Sequence, residues 1–314
     1  MPTLLWIQTG ACSGETLSIL NAESPNLLEA LQAYDVEVLW HPSLSLESPA
    51  ELERIIERIE ADMQELTVLA VEGSIMLGPD GTGMFDSFHG RPKMEIIESL
   101  SNKAQVVVAM GTCAAFGGVP ASGSNPTDAV GMQFHREDGE GGLLAPEWRS
   151  RTGLPVINVS GCPAHPNTMV QTLIWALSGV TLELDHLNRP REFFSTLVHQ
   201  GCTRNEYHEY NVEESRLGGA GCLFFNLGCQ GPTTMATCNS ILWNQQSSKT
   251  RAGVPCFACT APSFPKEGNL FATENLGGVP VVLPLGVDRV SYMSYKGLAK
   301  AAAPIRLKER KTKF

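Results

Sequence analysis

Six cysteines, Cys202, Cys222, Cys229, Cys238, Cys256 and Cys259, fall in one stretch rich in glycine and proline. That stretch shows neither a strand series nor sustained helical periodicity. It cannot bury enough core to offset the entropy of ordering itself, so it needs a staple. The chain has nine cysteines, an odd count. Its first basic residue is Arg54, so the start carries no secretory, twin-arginine or mitochondrial leader pattern. Both features argue against a disulfide framework. Metal held by cysteine is the staple that a reducing compartment permits. Buried thiols acting as small hydrophobes explain one or two cysteines, not a set this large.

The ligand spacings are His199-x2-Cys202, Cys222-x6-Cys229, Cys238, and Cys256-x2-Cys259. Two tetrahedral zinc sites would need eight donors, and this group supplies seven. A four-iron cubane plus a three-iron cluster uses all seven. Zinc stays open on spacing alone.

The remaining cysteines lie in a different kind of sequence. Thr3–Gln8, Val36–Trp40, Thr67–Val71, Gln105–Met110 and Pro155–Val159 are short apolar runs of strand length, most of them β-branched and bounded by Gly, Pro or Ser. Helical patterns separate them, at Pro49–Gln64, Pro92–Lys103 and Asn167–Ser178. The alternation predicts an α/β fold, a doubly wound parallel sheet spanning residues 1–180, followed by a loop-rich domain over 181–314. In that loop-rich part helices are expected only near Pro190–Val198 and Tyr295–Ala302. Such sheets bind ligands outside the carboxyl ends of their strands. Cys12, Cys113 and Cys162 each follow a strand closely, so the fold would bring three distant thiols to one edge. Their loops (GACSG, GTCAAFGG, SGCPAHP) are built from small residues that let backbone approach a bulky inorganic ligand.

Charge narrows the partners. Residues 1–180 hold 8 basic and 22 acidic side chains, residues 181–314 hold 15 and 11, and the whole chain carries −10. An acidic balance argues against nucleic acid. No apolar run approaches the ~20 residues of a transmembrane helix. Only 18 % of residues are charged, against roughly 25 % in ordinary domains. A chain with much of its surface against a permanent, apolar partner would show this shortage.

The segments WIQTGACSG, VEGS (71–74), MGTCAAFGGVPA (110–121), NVSGCPAHP (158–166), HQGCTR (199–204), CLFFNLGCQGP (222–232), CNSILWN (238–244) and PCFACTAPSFP (255–265) together resemble the small, iron–sulfur subunit of [NiFe] hydrogenases, over nearly the whole chain. The resemblance implies a flavodoxin-like first domain with a proximal cluster and an irregular second domain with two more. It assigns Cys12, Cys113 and Cys162 to the proximal cluster. Cys238, Cys256 and Cys259 go to a medial three-iron cluster with Pro232 near its vacant corner, and His199, Cys202, Cys222 and Cys229 to a distal four-iron cluster. It implies electron transfer from a nickel–iron centre in a separate large subunit, an obligate heterodimer that forms a higher oligomer, and an acceptor protein or quinone near His199.

One position departs from the family pattern. The usual proximal Cys-x-x-Cys reads Cys12-Ser13-Gly14-Glu15 here. Glu15 either binds the fourth iron, as a harder donor that favours ferric iron, or caps a helix or is solvated and leaves a three-iron cluster. Gly14 and Gly118 stand where oxygen-tolerant membrane-bound relatives carry extra cysteines. The pattern resembles leaderless cytosolic uptake enzymes, including high-affinity types, and implies a cytoplasmic location, free or peripherally held at a membrane. A hydrogen-sensing regulatory subunit is the alternative with the same clusters. A respiratory complex-I-type subunit shares the proximal fold but would not need the ligands after residue 198. Among other residues, Glu72 is weighed between a proton path and local hydrogen bonding. His165 is expected to cap a helix, His41 to be structural, and the basic tail of Arg306, Lys308, Arg310, Lys311 and Lys313 to be solvated.

Overall fold

The computed structural model describes residues 1–136 and 141–310. Its main sheet consists of β1 (Thr3–Gln8), β2 (Glu37–Trp40), β3 (Val68–Glu72), β4 (Val106–Met110) and β5 (Ile157–Val159). All neighbours are parallel, in the order β2-β1-β3-β4-β5. This is the flavodoxin-like order, whose switch point lies between β1 and β3. Side chains alternate between the two faces as a two-residue period requires. Leu5, Ile7, Leu69, Val71, Val107 and Ala109 join one core, and Leu4, Trp6, Val68, Ala70, Val106 and Val108 the other.

The helices cover both faces. On the first face α3 (Pro49–Glu60) buries Leu52, Ile55, Ile56 and Ile59, each worth about 1.5–3 kcal/mol of transfer free energy. Beside it lies α4 (Lys93–Lys103). The second face is covered by α1 (Gly14–Ile19), α2 (Leu27–Ala33) and α6 (Pro166–Leu177). The short α5 (Gly111–Phe116) follows β4 directly and carries Cys113.

The chain divides into two compact units: Met1–Glu192 with Cys259–Pro265, and Phe193–Ala258 with the residues from Lys266 onward. The sheet unit thus extends past residue 180. Asn158 N–H donates to Asn188 O at 2.8 Å and Asn158 Nδ2 to Leu187 O at 2.8 Å. The buried Asp185–Arg189 ion pair, 2.8 Å, turns this loop back, and Arg189 donates on to Thr260 O at 3.0 Å.

In the second unit the helices are mostly short: α7 (Asn205–Glu209), α8 (Phe224–Leu227), α9 (Arg289–Ala302) and α10 (Ile305–Lys308). Its apolar clusters are small and built around cysteines, Cys222 with Tyr207, Phe224 and Leu307, and Cys256 with Val198 and Ala236. The last long helix starts earlier than periodicity suggests, because Asp288 caps it by accepting from Ser291 N–H at 2.9 Å. The basic tail is anchored by its apolar residue and by ion pairs, while the side chains of Arg306, Lys308 and Arg310 stay exposed to solvent, as expected. Leu307 is fully buried, Arg306 pairs with Glu206, and Arg310 lies 3.5 Å from Glu214. Lys311 and Lys313 lie outside the described residues. Among the described residues no helix is long and apolar enough to cross a membrane.

Candidate metal centres

The first centre sits at the switch point. Gln8 ends β1 and Glu72 ends β3, directly opposite each other in register. Cys12 follows in the exposed loop, and α1 begins at Gly14 with no side-chain cap from Ser13. Glu72 supplies what Ser13 does not. Its fully buried carboxylate accepts from the backbone N–H groups of Glu15 (3.1 Å) and Thr16 (3.2 Å), and from Trp6 Nε1 (2.9 Å), Gln8 Nε2 (3.1 Å) and the Thr16 hydroxyl. A carboxylate meeting the free N–H groups of a helix start is favourable on both hydrogen-bond and dipole grounds. Of its two sequence readings, local hydrogen bonding is the one these contacts support.

Glu15 is buried at 5 % exposure, so it is not solvated. Its carboxyl lies against the backbone of Gly111 (φ 86°), where any β-carbon would collide with it. Burial, then the charge of Glu72, push it up to about 8. Burial likewise raises Cys113 to about 11 and Cys162 to about 12, with Glu15 and Cys12 adding to both shifts. Contacts of the Glu15 carboxyl with Gly111, of Thr112 with Gly161 and of the Gly14 position with Pro163 bring the Cys12, Cys113 and Cys162 loops together. Alone, Glu15, Cys113 and Cys162 hold their protons, and a bound cation reverses that preference. The donor set therefore fits an iron–sulfur cluster. Space is tight at both glycines flanking it: a β-carbon at Gly118 would stand 2.7 Å from Cys113 Sγ, and one at Gly14 3.1 Å from Cys12 Sγ.

Thr112, which sequence reasoning passed over, ties three cysteine loops together. Its N–H donates to Gly161 O (2.8 Å), its hydroxyl accepts from Gly161 N–H (2.9 Å) and donates to Cys259 O (2.5 Å). Cys259 consequently belongs to the sheet unit, whereas Cys238 and Cys256 belong to the other. His165 occupies the N-cap position of α6, but its imidazole makes no capping hydrogen bond, contrary to the expectation from sequence.

The second centre is a small pocket enclosed by the cysteine loops of the second unit. Its walls carry His199, Cys202, Cys222 and Cys229, together with Arg204 and His208. Short-range backbone bonds set these donors: His199 O accepts from Cys202 N–H at 3.0 Å, and His199 N–H donates to Gly231 O at 3.1 Å. The sulfurs already receive backbone donors, Arg204 N–H to Cys202 Sγ (3.4 Å), Phe224 N–H to Cys222 Sγ (3.4 Å) and Cys256 N–H to Cys229 Sγ (3.3 Å). Burial pushes Cys222 and Cys229 up to about 12 and His199 below its ordinary range. Neutral imidazole is the form that ligates a metal. Arg204 is a buried cation whose guanidinium donates to the carbonyls of Thr250, Gly219 and Gly221 at 2.6, 2.5 and 2.6 Å. Among the described residues no three His, Cys, Asp or Glu side chains converge on a point fit for a single ion. An imidazole and three thiols lining one pocket are donor types that an iron–sulfur cluster takes. Pro232 also lines this cavity, and Cys238 packs with Cys256 and Cys229 in one small cluster.

The chain matches two family models, "NADH ubiquinone oxidoreductase, 20 Kd subunit" over residues 12–176 and the C-terminal part of the NiFe/NiFeSe hydrogenase small subunit over residues 194–272. It is 32 % identical over 287 residues to the F420 non-reducing hydrogenase II small subunit of Methanosarcina mazei, covering 83 % of this chain and 73 % of the relative. To the periplasmic [NiFe] hydrogenase small subunit 1 of Nitratidesulfovibrio vulgaris it is 30 % identical over 278 residues, 86 % of this chain and 81 % of the relative. Among solved structures, an actinobacterial-type NiFe-hydrogenase from Ralstonia eutropha H16 superimposes with a TM-score of 0.79 at 28 % identity, over 100 % of this chain and 92 % of that one. The first family model alone would fit a respiratory-complex subunit, but the second takes in all four donors of the cavity. The chain belongs to the small-subunit family of the nickel–iron hydrogenases, oxidoreductases whose catalytic centre lies in a partner large subunit.

Proposed function

We propose that this chain is the electron-transferring subunit of a cytoplasmic hydrogenase working in the direction of hydrogen oxidation. Cys12, Glu15, Cys113 and Cys162 would hold a proximal four-iron cluster. Cys238, Cys256 and Cys259 would hold a medial three-iron cluster, and His199, Cys202, Cys222 and Cys229 a distal four-iron cluster. When bound, these groups would accept and release single electrons. The observation that carries the reading is the pocket walled by the His199 imidazole and the thiols of Cys202, Cys222 and Cys229, with His208 and the buried Arg204 also lining it. Replacing one thiolate by neutral imidazole removes a negative charge and raises the potential, which suits an exit point. In the sheet unit, the exposed Leu17 (59 %) and Val119 (50 %), close in sequence to Glu15 and Cys113, would suit an apolar contact with an obligate partner.

The burial of Glu15, with its carboxyl against Gly111 two residues before Cys113, supports its assignment as fourth proximal ligand. A carboxylate there keeps the −1 charge of a thiolate while offering a harder oxygen donor.

The test is an EPR-monitored redox titration of the intact complex with iron and sulfide analysis. About eleven irons per chain are expected from two cubanes and one three-iron cluster, and about ten if the proximal cluster has three irons. Zinc without iron or labile sulfide would overturn the reading. Glu15→Cys should alter the proximal signal and its midpoint, and an unaltered spectrum would remove Glu15 from the ligand set.

A further inference from the structure

His208 lies on α7, within the chain's HQGCTRNEYHEY segment, and none of the motif spacings includes it. Its Nδ1 is 3.5 Å from Cys222 Sγ. The ring stands edge-on to His199 at 4.6 Å and to Phe224 at 5.5 Å, and it lines the same cavity as the four donors. Its backbone N–H donates to Arg204 O at 3.1 Å, which fixes α7 behind the Cys202 loop. Ring packing on two sides and the helix beneath leave the imidazole little freedom.

A metal-bound cysteine is a thiolate and can only accept. A favourable contact therefore requires the proton on Nδ1. A donor to a cluster sulfur stabilises the reduced, more negative state more than the oxidised one. We propose that His208 is a positioning residue of the distal site, whose Nδ1–H donates to the Cys222 sulfur and holds the distal potential above that of the same site without this donor. The inference rests on reading His199, Cys202, Cys222 and Cys229 as ligands of one cluster.

The experiment compares His208→Phe and His208→Asn in the purified hydrogenase complex. Phenylalanine keeps the aromatic packing and loses the donor, while the Asn amide places an N–H near the position of Nδ1. In a redox titration followed by EPR, His208→Phe should lower the distal reduced-to-oxidised ratio about tenfold at fixed potential, equivalent to 59 mV for one electron. Proximal and medial midpoints should stay put, and His208→Asn should recover most of the shift. Proton hyperfine spectroscopy of the unmodified enzyme should show an exchangeable coupling to the distal cluster that disappears in D2O and in His208→Phe. An unshifted distal midpoint in a fully loaded His208→Phe enzyme overturns the proposal, as does an equal shift in His208→Asn. If the Phe variant loses its distal iron, absence of the exchangeable coupling in the unmodified enzyme overturns it instead. Absence of any distal four-iron signal in the unmodified enzyme would overturn the ligand assignment itself.

Discussion

Glu72→Gln tests how the proximal loop is held. One oxygen of Glu72 accepts the backbone N–H groups of Glu15 and Thr16, and the other accepts Trp6 Nε1, Gln8 Nε2 and the Thr16 hydroxyl. A glutamine offers one oxygen and one NH2 in the same volume. If the NH2 faces α1, two backbone donors lose their acceptor. In the opposite orientation Thr16 can rotate to accept, but Trp6 Nε1 faces another donor. The cheaper arrangement still strands one buried donor, at about 1–3 kcal/mol, and converts charge-assisted bonds to neutral ones. Adding the lost anion at a helix start gives a total of about 3 kcal/mol. Local opening of the Cys12 loop then becomes on the order of 100-fold more frequent, since each 1.4 kcal/mol is a factor of ten. Hydrogen exchange of the Glu15 and Thr16 amides, read on peptides of the intact complex, should accelerate by that factor. Unchanged protection would refute the anchoring argument. Unchanged protection with lost isotope exchange between hydrogen gas and water would return Glu72 to the role of proton relay.

Thr112→Val removes the donor to Cys259 O and the acceptor for Gly161 N–H, both buried, and should loosen the Cys259–Pro265 segment by about 2–4 kcal/mol. Faster amide exchange at Gly161 checks this, and Thr112→Ser should restore it. His41 is buried beside Trp6, with Nδ1 accepting from Ser43 N–H at 3.2 Å, and burial lowers it from 6.5 to about 4. The folded state then binds fewer protons than the unfolded one, so the sheet unit is at full stability above pH 6.5 and loses about 3 kcal/mol as pH falls toward 4. In denaturant titrations across that window, His41→Asn should flatten the slope. An unchanged slope would show that His41 titrates normally.

The strands were readable because their side chains alternate between two cores, and β-branched runs such as Val106–Val108 fit a sheet buried on both faces. The cysteines were readable because thiols at strand ends and in a core-poor tail have few other uses. Glu72 and Thr112 were not readable as anchors, since their partners lie far along the chain: Trp6 is 66 residues from Glu72, and Cys259 is 147 residues from Thr112. No local periodicity encodes such a distance. Only the parallel register, which sets Gln8 against Glu72, brings the donors and the carboxylate together. The same limit explains Cys259. Its spacing to Cys256 suggests one irregular domain, yet the Thr112 hydroxyl, Ser160 and Arg189 all donate to Cys259–Thr260 carbonyls and bind this segment to the sheet unit. On the proposed assignment, the medial ligand Cys259 would be held by the sheet unit. The Cys113, Cys162 and Cys259 loops meet at one threonine, so displacement of any of them is felt at the other two. Variants of Thr112 should therefore perturb proximal and medial signals together and leave the distal set, which hangs on Arg204 and the α7 backbone, unchanged.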